Sequence, residues 1–264
     1  MDTEQYAATA EFYDFVVPYQ TRPDVAFFVE AAQASGGPVL EVGCGTGRVL
    51  IPTARAGIPI YGIDLSPYML DVCERRVEQE PIEVQNRVQL DQADMREFDL
   101  GQTFKLITIP FRPFQHLIEV DDQIACLRCI HRHLADDGRF ILDLFNPWLE
   151  VLARELTGEE QDDGPAFTMP DGRRVQRRSR VVKRDVFKQY QDVELIYYAT
   201  HPDGYTERTV HAFPMRYLFR YEVEHLLARC GFEVEALYAD YDKSPYGSKY
   251  PGELIFVAKK GQAC

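Results

Sequence analysis

Three short segments carry residue types from which a ligand site can be built. In Glu41-Val42-Gly43-Cys44-Gly45-Thr46-Gly47-Arg48, an acid and three alternate glycines close an apolar run and open a helical pattern. Glycine there lets the backbone approach a ligand and take dihedrals closed to other residues. Free N–H groups at a helix start attract an anionic group. A second apolar run ends in Gly62-Ile63-Asp64-Leu65-Ser66, and a third is followed by Ala93-Asp94-Met95-Arg96. A glycine turn with an acid about 20 residues on is also a feature of dinucleotide binders. Their G-x-G-x-x-G spacing is not met, because its third glycine position is Arg48. Cys126-x-x-Cys129 with His131 and His133 invites a zinc reading. One Cys pair on a helix whose Ile124, Leu127, Ile130 and Leu134 are core candidates falls short of four converging ligands, so no metal is expected. No nucleophilic triad and no carboxylate cluster for magnesium is evident.

The elements that must position these residues alternate through the first half. Apolar runs at Pro38–Gly43, Ile58–Asp64, Arg87–Leu90, Phe104–Ile109 and Arg139–Leu144 read as strands. Thr53–Ala56, Ser66–Gln79 and Asp121–Leu134 read as helices, with Ser66-Pro67 supplying an N-cap and a first-turn proline. Such alternation predicts an α/β fold with a parallel sheet and right-handed crossovers. From about Val175 to Tyr217 the pattern becomes an antiparallel meander of about three strands, turning at Pro202-Asp203-Gly204. A helix over Tyr221–Cys230, stopped by Gly231, leads to strands Phe232–Tyr238 and Leu254–Lys259. Their direct connection makes that pair antiparallel, at one end of the sheet. Gly158–Pro165 is the best candidate for a mobile loop.

Composition narrows the partners. The chain has 264 residues, 45% hydrophobic and 27% charged, the profile of a globular protein able to bury a large core. Lys+Arg is 29 against Asp+Glu 42, a net charge of −13. That field repels phosphate backbones and anionic lipid, so neither nucleic acid nor membrane is expected as a partner. No apolar stretch is long enough to span a bilayer. Met1 to Tyr6 is acidic and polar, unlike a secretory leader, and the scatter of Cys44, Cys73, Cys126, Cys129, Cys230 and Cys264 suggests no disulfide framework. A cytoplasmic setting is expected.

Taken together, the three segments resemble class I S-adenosylmethionine-dependent methyltransferases, whose first motif is an acid followed by G-x-G-x-G. The likeness covers about residues 1–150 and 216–260. It implies a Rossmann-like seven-stranded sheet with an antiparallel C-terminal hairpin, interrupted by a small inserted antiparallel β-sheet. The implied cofactor is S-adenosyl-L-methionine. By this resemblance Glu41, Gly43, Gly45 and Gly47 wrap its methionine half, the acid lying near the ammonium group or organising the loop. Asp64, beside Leu65, accepts from both ribose hydroxyls, two oxygens meeting a vicinal diol. Asp94 accepts from the adenine amino group, and the Met95 N–H faces a ring nitrogen.

The acceptor belongs beyond the strand carboxyl ends, near Pro110-Phe111-Arg112-Pro113-Phe114-Gln115-His116-Leu117. Gln115 is expected on the cofactor rim, and His116 in the pocket or bonded to backbone at a helix start. Tyr6, Phe12-Tyr13-Asp14 and Tyr19 resemble the lid helix of small-molecule members. Tyr13 would aim its hydroxyl at the cofactor, or else pack under the helix. The inserted meander resembles that of amino-sugar N,N-dimethyltransferases, where a small sheet roofs the acceptor. Residues 151–215 would then form an acceptor-side subdomain, with 1–150 and 216–264 binding the cofactor. His211, Phe213, Arg216 and Tyr217 would line the pocket, although strand alternation must turn about half of such residues outward. The basic run from Arg173 to Arg184 would fit a phosphorylated or nucleotide-linked acceptor, and fits better a solvated face paired with the acidic body.

The expected activity is methyl transfer to a small molecule, with nitrogen preferred to oxygen because a neutral amine needs orientation more than a strong base. An O-methyltransferase, a nicotinamide or flavin oxidoreductase, and a non-catalytic cofactor-binding protein are the alternatives. A homodimer is left open.

Overall fold

The apolar runs of the first half become strands whose carboxyl ends share one rim. In the computed structural model, which describes residues 4–261, these are β1 (Val39–Val42), β2 (Ile60–Asp64), β3 (Val88–Gln92), β4 (Phe104–Ile109) and β5 (Leu134–Phe145). All pair in parallel. A second, antiparallel sheet follows: β6 (Gln161–Asp162), β7 (Phe167–Thr168), β8 (Arg174–Asp185), β9 (Tyr190–Thr200) and β10 (Thr206–Arg216). The chain then returns through β11 (Phe232–Tyr238) and β12 (Glu253–Lys260), which pair antiparallel with each other, β12 also lying antiparallel to β5. The first sheet runs β11-β12-β5-β4-β1-β2-β3 among the described residues, the seven strands with an antiparallel C-terminal hairpin that the resemblance implied. Order reverses between β1 and β4, and such a switch point opens a crevice outside the strand carboxyl ends.

Both faces of this sheet are covered. On one, Ile124, Leu127 and Ile130 of the helix Val120–His133 join Val223 and Leu227 of Arg220–Arg229 over β4, β5 and β12. On the other, Phe27, Phe28 and Ala32 of the helix Asp24–Ser35 pack with Leu50, Ile51, Leu70 and Cys73. That first helix was not among those expected, although Phe28 and Ala32 have the i, i+4 spacing of a buried stripe. Ser66 caps Pro67–Glu78 as its sequence predicts, its Oγ accepting from the Met69 N–H at 3.3 Å. No helix among the described residues is long and apolar enough to cross a membrane.

A third apolar cluster joins the inserted sheet to the start of the chain. Phe12 and Val16 pack on Phe167, Met169, Val175, Tyr197 and Ala199. The expected lid helix is three single turns, Glu4–Ala7, Ala10–Tyr13 and Val17–Gln20. The stretch 158–165 is tied down rather than loose. β6 pairs with β8, the Gln176 amide donates to the Gly164 carbonyl at 3.1 Å, and the Tyr198 hydroxyl donates to Glu160 at 2.8 Å. Met1 to Thr3 and Cys264 lie outside the described residues.

Candidate active site

The crevice at the switch point is roofed by the inserted sheet, and the two enclose a cavity of about 1000 Å3. That lies at the upper end of the range for small-molecule sites, enough for a cofactor and a second ligand together.

Its floor comes from the strand ends. Gly43 holds φ +74 and Gly47 φ +80, and a Cβ would stand 2.8 Å from Pro113 Cγ at the first and 2.7 Å from Cys73 Sγ at the second. Both positions therefore require glycine. Gly43, Gly45, Asp64, Leu65, Asp94 and Met95 line the cavity. Asp64 organises the glycine loop, its Oδ2 accepting from the Gly45 N–H and its Oδ1 from the Ser66 N–H, both at 2.8 Å. Burial pushes its pKa up and those N–H groups pull it back. Asp94 is clasped by Arg96, which takes both carboxylate oxygens and extends to Asp122 at 3.3 Å. The Arg96 bonds hold the Asp94 carboxyl below the usual range.

Glu41 and Gly47 are not on the cavity surface. Glu41 is buried beneath the loop with Oε2 unpartnered, and burial pushes its carboxyl up to about 8, against the pull of Arg48. Arg48, the residue that breaks the dinucleotide spacing, forms a two-pronged pair with buried Asp24 at 2.8 and 2.5 Å. It thereby ties the glycine loop to the helix Asp24–Ser35.

The start of the chain closes one side. Asp14 accepts from the Thr46 hydroxyl at 2.8 Å and from Arg76 at 3.0 Å, so the N-terminal turns are bolted onto the glycine loop. Tyr13, half-buried and with its phenol pushed up mainly by loss of solvent, stands at the cavity 5.0 Å from the Tyr19 ring and 6.3 Å from Phe111. Tyr6 meets His211 edge-on at 4.4 Å, bridging to the roof.

The roof follows from strand register. Arg177 lies opposite Tyr197, Ser179 opposite Leu195 opposite His211, and Val181 opposite Val193 opposite Phe213. These alternate positions all face the cavity. His116, from the turn Pro113–His116, and His211 both pack against Phe213, each with its ring 5.0 Å from it. Burial pushes each imidazole down to about 4; the Pro214 carbonyl pulls the His116 ring back, while His116 pushes His211 further down. Both rings are neutral at physiological pH.

Besides Glu41 and Gly47, three more expected site residues lie off the cavity. Gln115 is buried away from the cavity, its amide donating to the Arg216 carbonyl at 2.7 Å and accepting from the Phe145 N–H at 2.8 Å. Both ends of the amide serve the backbone where the two sheets join. Arg216 donates to the Ile118 carbonyl, and the Tyr217 N–H bonds the Gln189 carbonyl at 3.0 Å. Neither side chain reaches the cavity, because the strand turns back toward the first sheet there. His133 spends both ring nitrogens on backbone, at Cys129 and Leu100.

Two groupings were not anticipated. Asp143, an acid inside the apolar run Ile141-Leu142-Asp143-Leu144, accepts from the Tyr241 hydroxyl at 2.8 Å and the Phe111 N–H at 3.0 Å. Arg22 donates to Tyr241 and Glu253, and Arg112 to Glu253. This buried network holds Phe111 and Arg112 at φ +61 and +74, backbone strain placed at the switch point. The second grouping is Arg177 with Asp163, paired at 3.1 Å on the roof. An isolated acid in a buried strand was a signal for the first, and alternation within the basic run for the second.

A methyltransferase domain profile matches residues 39–138, from the start of β1 into the first part of β5. The putative methyltransferase YqeM of Bacillus subtilis is 25% identical over 97% of this chain and 98% of its own. The chain is an S-adenosylmethionine-dependent methyltransferase. The enzyme is also 30% identical to dTDP-3-amino-3,6-dideoxy-alpha-D-glucopyranose N,N-dimethyltransferase of Streptomyces fradiae, over 53% of this chain and 52% of that one, so it spans about half of that relative. The structure of the CcbJ methyltransferase from Streptomyces caelestis shares the fold, with TM-score 0.76 and 22% identity over 99% of this chain and 100% of that one.

Proposed function

We propose that the enzyme methylates an amine nitrogen of a small acceptor held between the two sheets, with residues 151–215 as the acceptor-side subdomain. S-adenosyl-L-methionine, when bound, supplies an activated methyl group and its leaving group. The residues present fit it: a glycine cradle that side chains would fill, an acid at the end of β2, and a closed wall of aromatic residues. Gly43 and Gly45 would hold its methionine part, Asp64 with Leu65 its ribose, and Asp94 with Met95 its adenine, Asp94 sharing its oxygens with Arg96. Glu41 and Gly47 support the loop from beneath. Tyr13 would close over the methionine end.

The nitrogen preference is carried by one observation, the neutrality of His116 and His211. A general base is efficient when its pKa lies near the working pH. Two rings held near 4 are poor bases for a hydroxyl but good hydrogen-bond acceptors for an amine N–H. Each can orient the lone pair of an already nucleophilic nitrogen, and alignment in a dry pocket is most of what the transfer requires. The dimethylated amino sugar named for the Streptomyces fradiae relative agrees with this acceptor class. The charge of −13 supports an enzyme without nucleic-acid partners, the scattered cysteines support a cytoplasmic setting, and light scattering tests for a homodimer.

The test is turnover against matched amines and alcohols, with S-adenosylhomocysteine release measured and the methylated atom located by fragmentation mass spectrometry. Methyl on nitrogen is expected. Transfer confined to oxygen overturns the assignment.

A further inference from the structure

The Arg177–Asp163 pair stands on the roof, outside the machinery assigned so far. Arg177 leaves only 4% of its side chain exposed, yet faces the cavity. Its Nη2 pairs with Asp163 Oδ2 at 3.1 Å, its Nε reaches the Asp163 carbonyl at 3.4 Å, and its guanidinium lies 4.6 Å over the Tyr19 ring. Nη1 is buried with no hydrogen-bond partner of ordinary geometry, the Tyr19 and Tyr197 hydroxyls being the side-chain groups that stand near the guanidinium. A buried donor left unmade on a charged group is costly, and the cost is recovered when a ligand accepts from it. Asp163, one-third exposed, also lines the cavity.

Most other members of the basic run have partners of their own; Lys183 meets the Tyr190 hydroxyl at 3.3 Å, and Arg174 is exposed. Arg173 binds Glu11 and Asp171, Arg178 binds Asp162, Arg180 binds Glu194, and Arg184 caps the Leu152 and Arg154 carbonyls. The pair at Arg177 is itself neutral overall, so a free anion gains little from it. What it offers side by side is a donor fixed by its neighbour and a carboxylate acceptor. A hydroxyl both donates and accepts, so two adjacent hydroxyls match that pattern, one accepting from Arg177 and one donating to Asp163. Tyr6, Tyr19 and Tyr197 surround the spot with flat apolar faces for the carbon side of a saturated ring.

We propose that Arg177 and Asp163 form a specificity subsite for vicinal hydroxyls of the acceptor, which makes the acceptor a hydroxylated ring such as an amino sugar. This deepens the proposed amine methylation and rests on it for the acceptor's nitrogen alone.

Calorimetry on the S-adenosylhomocysteine-loaded enzyme tests it, titrating a hexosamine and cyclohexylamine, the same ring without hydroxyls. The wild type is expected to prefer the hexosamine, and Arg177→Gln to reduce that preference about 10- to 100-fold, the range for a hydrogen bond to a charged group. Asp163→Asn, at a more exposed position, should reduce it in the same direction. Retained S-adenosylhomocysteine affinity shows that the variants are folded. Equal binding of both amines by the wild type, or a preference unchanged in folded variants, overturns the subsite. Turnover on the same hexosamine separates the two claims. Arg177-dependent binding with methyl found only on oxygen leaves the subsite standing and removes the nitrogen assignment.

Discussion

The floor and the roof of the cavity are built by different means. The floor takes its shape from backbone, in glycines at positive φ, N–H groups turned toward Asp64 and strand ends fixed by parallel register. The roof takes its shape from side chains on alternate positions of three strands, held over the floor by the apolar cluster around Phe12 and Tyr197. A backbone cradle suits a ligand that never changes, and a side-chain roof suits one that differs between relatives. On the proposed roles, cofactor recognition by the floor and acceptor recognition by the roof are separable, and variants in each region should fail in different ways.

The largest effect is expected on the floor. Asp64→Ala removes the carboxylate proposed for the ribose together with the anchors of Gly45 and Ser66. Two or more charge-assisted bonds at 1.5–3 kcal/mol each give a loss of about a thousandfold in S-adenosylmethionine affinity, roughly 4 kcal/mol. Calorimetric titration reads it, and wild-type affinity in a folded variant refutes the ribose assignment.

Next comes a roof effect that depends on pH. His211 is 6% exposed, and its folded pKa of about 4 lies below the ordinary 6.5. Between those values the unfolded chain binds more protons, so this group's contribution is present above pH 6.5 and lost as pH falls toward 4. A shift of this size is worth up to about 3 kcal/mol. Urea melts of wild type and His211→Gln across that window should converge as the pH drops. Curves that stay parallel would show that His211 is not held neutral by the fold.

The same contrast explains what was legible in the sequence. Glycine spacing, Asp64 and Asp94 are local signals, because a strand, a turn and the next helix start occupy a few consecutive residues. The hairpin at Pro202-Asp203-Gly204 and the final strand pair were legible for the same reason. Gln115 lies beside His116 in sequence, yet one faces inward to backbone and the other lines the cavity. That choice is made by packing of the short turn against β10. Arg216 and Tyr217 follow His211 on the same run, but the chain leaves the roof before reaching them. Arg22, Asp143, Tyr241 and Glu253 come from four distant segments, and nothing local announces their meeting.

A smaller effect should confirm Gln115 as scaffold. Replacing it with Leu keeps the volume but leaves the Arg216 carbonyl and the Phe145 N–H without partners where the sheets join. Buried unsatisfied groups cost about 1–3 kcal/mol each, softened where the backbone can shift. A loss of about 2 kcal/mol in denaturant unfolding is expected, with S-adenosylmethionine affinity retained. A folded variant that loses the cofactor instead would return Gln115 to the rim.

The smallest effect should come from the ion pair that spans roof and N-terminal turns. Arg173 binds Glu11 at 3.0 and 2.8 Å and lies 5.4 Å over the Phe12 ring, so it looks like a clasp. Glu11 is nearly half exposed, however, and exposed pairs contribute about 0–1 kcal/mol and are screened by salt. Phe12 is 3% exposed and stacked on Tyr197 at 5.3 Å, and truncating such a ring costs about 3–5 kcal/mol. Arg173→Ala should therefore cost under about 1 kcal/mol, less still in high salt, and Phe12→Ala several times more. Equal losses from the two variants at low salt would mean that charge, rather than apolar burial, holds the roof over the floor.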